Sequence, residues 1–94
     1  MLRIEALEID DQILDKIESK HKLSFKEVEE ACLSEAHHIR RSKEGLYKLF
    51  GQTTAGRYIL VVLANLGGGV WKIVTAREMT DNERRLYIKS LGGR

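Results

Sequence analysis

Two apolar runs near the middle of the chain predict the strands on which the fold is built. The runs from Tyr58 to Ala64 and from Val70 to Ala76 are short and rich in Val, Ile and aromatic residues, which is typical of β-strands. The loop between them contains three consecutive glycines, Gly67 to Gly69, which indicate a turn. A hairpin symmetric about Gly67 places Arg57 and Arg77 opposite each other at its open end. Because like charges in opposing positions destabilise a pair of strands, this register predicts a carboxylate, water or an anionic ligand between the two arginines.

Helices are predicted both before and after this hairpin. Apolar residues at helical spacing predict a first helix over about Asp11 to Lys20, after a short first strand. Ser24 with Glu27, and Thr80 with Glu83, each match the S/T-x-x-E capping box. This motif satisfies backbone groups at a helix start, so it predicts a second helix beginning at Ser24 and a third beginning at Thr80.

Two further strands complete the predicted sheet. The stretch from Leu46 to Gly51 predicts a strand that pairs with the first strand of the hairpin, and His37 to Arg41 predicts a fourth strand if it pairs as well. The predicted fold is therefore α+β: an antiparallel meander of three to four strands, packed with two N-terminal helices and one C-terminal helix. The length predicts a single domain over residues 1–94.

Extending the pairing divides the side chains of this sheet between two faces. If the loop from Gln52 to Gly56 is symmetric about Thr54, one face is apolar apart from the two arginines and is predicted to be the core face. That face consists of Tyr47, Leu49, Ile59, Val61, Leu63, Trp71, Ile73 and Thr75. The other face carries Lys48, Lys72 and Tyr58 among apolar residues. It predicts either an RNA-binding surface, where a base stacks beside a phosphate, or a second packed face along which the lysine stems lie.

The distribution of charge says more than its total, a formal net charge of +2. Most carboxylates fall in the first third of the chain, whereas Lys and Arg predominate after residue 36. The acidic part is expected to be solvated helix, and the basic part is where a phosphate-bearing partner is expected to bind.

The composition excludes several classes of protein. A hydrophobic content of 43% and a charged content of 32% are typical of a globular domain and exclude a disordered chain. The lone cysteine, Cys32, excludes an intrachain disulfide and cysteine-based zinc sites. Acidic residues in the first ten positions argue against a signal peptide, and no apolar run approaches 18 residues, so we expect no membrane segment and a cytoplasmic location.

The three histidines are candidates for chemistry in different degrees. His21 follows Ile17 by one helical turn, on or beside the apolar stripe of the first helix. It is either a partly buried histidine bonded to a backbone group or a titratable group that faces a site. His37 and His38 are neighbours in a predicted strand, so they face opposite ways and do not chelate one metal ion. We therefore expect neither a metal site nor a cofactor.

Four short stretches occur in an order that is similar to one known family. They are KHKLSFKEVEEA (Lys20–Ala31), GR (Gly56–Arg57) before a Val-rich strand, TAREMT (Thr75–Thr80) and ERRLY (Glu83–Tyr87). Together they resemble the BrnT family of ribonuclease toxins from bacterial toxin–antitoxin pairs. The chain departs from the family at Ile9–Ile13, where the family has W-D-x-x-K, and at Lys22, where the family has Gly.

The resemblance implies a fold similar to the RelE class of endoribonucleases and metal-independent cleavage of RNA. In that reaction a 2′-OH attacks the adjacent phosphate, and cations stabilise the charge that develops there. The matching motifs imply that Arg57 and Arg77 clamp the phosphate. His21 is the candidate for proton transfer, and Glu83 is a candidate base that also completes a capping box. The predicted RNA-binding residues are Lys48, Lys72, Tyr58 and Arg84.

The expected partners follow from the same resemblance. They are an RNA substrate and a cognate antitoxin protein, in a homodimer or a toxin–antitoxin heterotetramer. The departures from the family motifs leave a second hypothesis open: a diverged, non-catalytic module that binds protein or RNA on the same scaffold.

Overall fold

The computed structural model describes residues 3–92, so Met1, Leu2, Gly93 and Arg94 lie outside the described residues. Three helices and five strands occur in these residues. In chain order they are β1 (Ala6–Glu8), α1 (Asp11–Lys20), α2 (Phe25–Leu33), β2 (His38–Arg41), β3 (Leu46–Gln52), β4 (Tyr58–Gly67), β5 (Val70–Glu78) and α3 (Asp81–Gly92). The α+β class, the helix α1 and the antiparallel meander from β2 to β5 agree with the prediction.

Both predicted capping boxes form. The Ser24 hydroxyl accepts a hydrogen bond from the Glu27 amide at 3.2 Å, and the Glu27 carboxylate accepts one from the Ser24 amide at 3.1 Å. At the start of α3 the Thr80 hydroxyl accepts from the Glu83 amide at 3.2 Å, and Glu83 accepts from the Thr80 amide at 2.9 Å. Each box satisfies two backbone N–H donors that a helix start otherwise leaves to solvent.

The prediction of a wholly antiparallel sheet of three to four strands is wrong in one respect. The sheet has five strands in the order β1-β5-β4-β3-β2, and β1 joins it parallel to β5. The pairing sets Leu7 beside Trp71, and the Trp71 indole N–H donates to the Arg3 carbonyl at 2.8 Å. Because these partners are far apart in the chain, no local pattern indicates that they meet.

The predicted register of the central hairpin is also wrong. The turn residues are Gly68 and Gly69, with φ of +62° and +84°, and not Gly67 alone. A two-residue turn with positive φ at both positions matches the twist of the flanking strands. The centre of the hairpin is therefore displaced toward the C-terminus, and Arg77 pairs with Leu60 instead of Arg57.

A β-bulge then exchanges the faces at the end of β5. Val62 pairs with Thr75, but Leu63 pairs with Ile73, so Val74 is left without a directly opposed partner on β4. An extra residue reverses the in–out alternation beyond it. Thr75, predicted to face the core, therefore shares the opposite face with Val62, and Ala76 is buried in the core instead.

The β3–β4 turn shows a shift without a change of face. It closes through the Thr53 amide, which donates to the Arg57 carbonyl at 2.9 Å, and it sets Gln52 opposite Tyr58. The register differs from the predicted one by two residues. Because side chains alternate with a period of two, the predicted faces of β3 and β4 are preserved.

Helices cover both faces of the sheet. α1 packs on β5, and α2 packs on β3 and β4. The core between these helices and the sheet consists of Ile17, Leu23, Val28, Ala31, Cys32, Leu49, Ile59, Val61, Leu63, Trp71, Ile73 and Ala76. α3 lies on the other face, where Tyr87 is buried and its ring meets Tyr58 edge to face. In residues 3–92 no helix is both long enough and apolar enough to cross a membrane.

Candidate functional site

Arg57 is held by ligands from three separate segments. Its Nη1 donates to the Glu27 carboxylate at 2.8 Å and to the Lys22 carbonyl at 3.0 Å. Its Nε and Nη2 both meet Glu78 Oε2 at 3.0 Å. The backbone amide of Arg57 donates to the Thr53 hydroxyl, which orients the start of β4. This guanidinium therefore ties the α1–α2 connection and the N-terminus of α2 to the end of the sheet.

The connection between α1 and α2 has an unusual backbone at Lys22. Its φ is +55°, in the left-handed region that favours glycine. Glycine adopts this conformation without strain, so Lys22, which stands where the resembling family has Gly, has a strained backbone. It also aims the Lys22 carbonyl at Arg57.

Arg77 makes a corresponding set of contacts with the capping box of α3. Its Nη1 and Nη2 donate to the two carboxylate oxygens of Glu83 at 2.8 and 3.0 Å, a bidentate ion pair. Nη1 also donates to the Glu78 carbonyl at 3.0 Å. Each arginine of the predicted clamp thus binds the glutamate of one capping box, and Glu78 contacts both arginines.

The ion pairs shift the pKa values of the four groups. The Arg77 hydrogen bonds, with smaller help from the Thr80 amide, hold the pKa of Glu83 below its usual value. The pKa of Glu27 is lowered first by the Ser24 amide and then by Arg57. The arginine pKa values are raised by the same pairs. All four groups are therefore charged at neutral pH, and Glu83 is a weak proton acceptor.

Two neighbouring clefts flank the end of β5 and the start of α3. One has a volume of about 450 Å³, the other about 340 Å³, and Glu78 and Met79 line both. The first is otherwise lined by Lys20, His21, Lys22, Arg77 and Thr80. The second is otherwise lined by Gly56, Arg57, Tyr58, Asp81 and Arg84. Of the four residues predicted for catalysis, His21 and Arg77 line the first cleft and Arg57 lines the second, whereas Glu83 lines neither.

His21 and Arg77 lie in the same cleft although 55 residues of sequence separate them. His21 follows the last residue of α1, is half-buried, and donates its backbone amide to the Ile17 carbonyl at 3.2 Å. Glu83 contacts Arg77 from the adjoining capping box. Arg57 lines the neighbouring cleft, and its guanidinium pairs with Glu27 of α2, whereas that of Arg77 pairs with Glu83 of α3.

Tyr58 and Arg84 lie together in the second cleft. The Arg84 guanidinium carbon is 4.8 Å from the centre of the Tyr58 ring, a cation–π contact. The edge-to-face contact with Tyr87 holds the Tyr58 ring from another side. Tyr58 is therefore placed to hold Arg84 over the cleft, and the ring face that Arg84 covers is closed to a stacked base.

The two predicted RNA-binding lysines lie away from both clefts. Lys72 forms an ion pair with Asp10 at 3.2 Å, and Lys48 is exposed beside Val62 and Arg40 in the sheet. Neither lines the clefts that contain His21 and Arg57.

Four residues near the arginines were not predicted as site residues: Lys20, Lys22, Glu27 and Glu78. The spacing of Ser24 and Glu27 identified Glu27 as a helix cap, but this local motif gives no indication that Glu27 contacts Arg57. Lys20 and Lys22 flank His21, so their proximity was readable from the sequence. In the described part of the chain, no group of three or more His, Cys, Asp or Glu side chains is arranged to hold a metal ion.

The same fold occurs in a solved structure of a bacterial ribonuclease toxin. Superposition on the crystal structure of BrnT from Brucella abortus gives a TM-score of 0.67 over 81% of this chain and 97% of that chain. This chain has the fold of BrnT. Sequence identity to BrnT is 15%, so the likeness is one of fold. The predicted resemblance to BrnT is confirmed at that level, while no family model and no curated protein matches the sequence.

Proposed function

We propose that this chain is a metal-independent endoribonuclease and acts as the toxin of a toxin–antitoxin pair. The observation that supports this most is that His21 and Arg77 line one cleft, with Lys20 and Lys22 on its wall. A cationic cleft with one titratable imidazole is suited to phosphoryl chemistry that needs proton transfer and charge stabilisation. The fold shared with a ribonuclease toxin supports the same assignment.

Arg77 is the better placed of the two arginines to bind the reacting phosphate. Its contacts with Glu78 and Glu83 use three N–H groups: both on Nη1 and one on Nη2. Among the described residues, nothing accepts from its Nε–H or from the second Nη2–H. These two donors form one edge of the guanidinium, which matches two phosphate oxygens. Arg57 uses its corresponding edge on Glu78, so its proposed contribution is to anchor α2 and add positive potential.

The proposed reaction is an internal transesterification of RNA. The 2′-oxygen forms a bond to the adjacent phosphorus, the bond from phosphorus to the 5′-oxygen breaks, and the products carry a 2′,3′-cyclic phosphate and a 5′-OH. The 2′-OH loses a proton and the leaving 5′-oxygen gains one. His21 performs one of these transfers, solvent water performs the other, and Arg77 stabilises the negative charge on the phosphoryl oxygens.

Glu83 is assigned a positioning role in place of the role of base. Its carboxylate accepts from Arg77 twice and from the Thr80 amide once, and these bonds lower its pKa. A carboxylate held in this way is a poor acceptor for a hydroxyl proton. The contact of Glu83 with Nη1 and Nη2 leaves the Nε–H edge of Arg77 available for the phosphate.

Cleavage of RNA by purified protein in EDTA tests this proposal. His21→Ala and Arg77→Ala are each expected to lower the cleavage rate by roughly 100-fold or more, the usual effect of losing a general acid–base or an oxyanion donor. Arg85→Ala is the matched control, because Arg85 is exposed on α3 and lines neither cleft. RNA that stays intact, or equal rates for wild type and Arg77→Ala, would overturn the assignment.

One observation favours a second function, that of a non-catalytic RNA- or protein-binding module. Every arginine of the predicted clamp is already paired with a carboxylate, and Arg57 is paired with two. Such a module binds RNA with an affinity that falls as salt rises but does not cleave it. Binding without cleavage in the same assay would select this alternative.

The proposed partner is a cognate antitoxin protein, and the proposed location is the cytoplasm. The proposed assembly is a heterotetramer that contains two toxin chains; the alternative is a toxin homodimer. Induced expression of this chain alone should arrest growth, and co-expression of the neighbouring reading frame should relieve the arrest. Light scattering of the co-purified proteins gives the stoichiometry. Arrest that persists in Arg77→Ala would show that toxicity does not come from the proposed cleavage.

A further inference from the structure

A third concavity lies under α3, on the sheet face opposite α1 and α2. Its volume is about 180 Å³, below the roughly 300–1,000 Å³ of sites for drug-sized ligands, so it suits a single planar ring. The apolar part of its wall is Phe50, Leu86 and Tyr87, and the polar part includes His38, Arg40 and Ser90. Leu86 is 56% exposed at its edge, although it is a large hydrophobic residue.

The pairing of the strands connects this concavity to Arg77. His38 pairs with Phe50, Phe50 with Leu60, and Leu60 with Arg77, so one row of side chains runs across the sheet. Phe50 is two strands from Arg77, a backbone separation of about 10 Å. Glu83 lines the concavity and pairs with Arg77, which lines the cleft of His21, so this ion pair links the two spaces.

The rim of the concavity is basic on the side of β2 and β3, opposite Glu83. Arg40 lines it, pairs with Lys48 in the sheet, and is exposed, as Lys48 is. Aromatic and apolar side chains beside cations are the combination that binds unpaired nucleotides, in which bases stack and phosphates meet Lys or Arg. A purely apolar peptide anchor would gain nothing from this basic rim.

We infer that the concavity under α3 is a nucleobase subsite, which takes the base of a nucleotide flanking the scissile phosphate while Arg40 binds a phosphate of the same strand. This inference rests on the proposed function for the identity of the strand as RNA. It requires only binding, so it stands or falls separately from catalysis. None of its new residues, Arg40, Phe50 or Leu86, belongs to the proposed catalytic cleft.

Two pairs of matched variants test the subsite. Arg40→Ala and Arg41→Ala remove the same charge from neighbouring positions of β2, but Arg41 lies over the Tyr47 ring and not at the concavity. Leu86→Asp and Ile88→Asp add the same charge to exposed apolar positions of α3, of which only Leu86 lines the concavity. All four residues are exposed, and thermal unfolding of each variant checks that it folds.

The probe is a short fluorescent 2′-O-methyl RNA, which binds but lacks the hydroxyl needed for cleavage, compared with an abasic strand of the same length. Arg40→Ala should weaken binding of both strands by about tenfold and reduce the salt dependence by about one charge, whereas Arg41→Ala should change little. Leu86→Asp should weaken binding of the base-bearing strand about tenfold more than binding of the abasic strand, and Ile88→Asp should not separate the two strands.

Results other than these expected differences in binding overturn the nucleobase subsite. Equal loss of both strands in Leu86→Asp means that charge alone acts, and equal effects of Arg40→Ala and Arg41→Ala mean that the rim does not contact the strand. Unchanged RNA binding with loss of a co-purified protein in Leu86→Asp assigns the concavity to a peptide. Cleavage of RNA with none of these differences rejects the subsite and keeps the proposed function. The expected differences without any cleavage keep the subsite and reject catalysis, and absence of RNA binding rejects both.

Discussion

Replacement of Glu83 by glutamine removes the charge that holds Arg77 and leaves the start of α3 intact. Gln serves at the third position of a capping box as Glu does, so its carbonyl oxygen can still accept from the Thr80 amide. The substitution is isosteric and adds no cavity. Its effect on stability and on cleavage therefore reports the ion pair with Arg77.

The size of the effect follows from the geometry of the pair. Glu83 and Arg77 are 2.8 Å apart at their closest atoms, with 21% and 38% of their side chains exposed. A hydrogen bond to a charged group contributes about 1.5–3 kcal/mol, and an exposed ion pair about 0–1 kcal/mol because water screens it. For this partly exposed pair we expect a loss of about 1 kcal/mol at neutral pH. In a domain of this size that corresponds to a fall in Tm of roughly 4–8 °C.

The pH dependence gives the sign of the effect. The pKa of Glu83 in the folded protein lies below the ordinary value of 4.5, so folding favours the ionised carboxylate. Its contribution to the free energy of unfolding is fully present above pH 4.5 and is lost as the pH falls through the lower folded pKa. The stability difference between wild type and Glu83→Gln should therefore be complete at pH 7 and shrink in acid.

Urea unfolding at pH 7 and at a series of lower pH values, down to the lowest pH at which the wild type still folds, measures this difference in the free energy of unfolding. Glu29→Gln is the control. Glu29 is exposed on α2 and is not part of a capping box. A stability difference that is absent at pH 7, or that stays constant down to the lowest pH of the series, would refute the contribution assigned to the ion pair. In the cleavage assay Glu83→Gln should lower kcat by roughly fivefold while the pH profile keeps its shape, since a loss of about 1 kcal/mol corresponds to that factor. Loss of one limb of the profile would assign Glu83 as the base.

Three other substitutions or reactions test the packing of the fold. A Cβ on Gly51 would clash with the Ala31 carbonyl oxygen, so Gly51→Ala should force α2 away from β3 and cost about 3 kcal/mol in urea unfolding. Gly68→Ala is the comparison, because open space surrounds its new methyl and only the positive φ penalises alanine there; a Gly51→Ala cost no larger than that of Gly68→Ala would contradict the clash. Lys22→Gly should stabilise the protein by roughly 0.5 kcal/mol, the relief of a left-handed backbone less the entropy of glycine, and Lys22→Ala should not. Burial, with a smaller effect of Glu29, raises the pKa of Cys32 to about 12, so DTNB should react with it only as fast as the protein unfolds; rapid labelling in native buffer would show that the thiol is accessible.

Local patterns were sufficient for the helices, the caps and most of the core. The capping boxes of α2 and α3 each involve residues three apart, so the sequence contains everything that makes them. The alternation of apolar residues determined which side chains of β3 and β4 face the core. A displacement of two residues in their register left those faces unchanged because the period of a strand is two.

The candidate site was predicted as a set of residues but not as an arrangement. Arg57 and Arg77 were expected to face each other because the hairpin was assumed to be symmetric about Gly67. The triple glycine allows the hairpin to turn at more than one point. The turn at Gly68–Gly69 and the bulge at Val74 send the two guanidiniums to opposite sides of the sheet. Neither choice is visible in the hydrophobic pattern, since a glycine turn and a bulge depend on the strand twist and on packing against the helices.

The sequence by itself determined the class of the fold, the two capped helices, the core faces of the central strands and a basic C-terminal part with two prominent arginines. Each of these depends on interactions between residues close in the chain or on the period of a helix or strand. Only the tertiary structure decided the fifth strand, the partners of the arginines and the cleft that joins His21 to Arg77. These features depend on which pairing of distant segments leaves the fewest buried polar groups without hydrogen-bond partners. That comparison involves the whole chain at once.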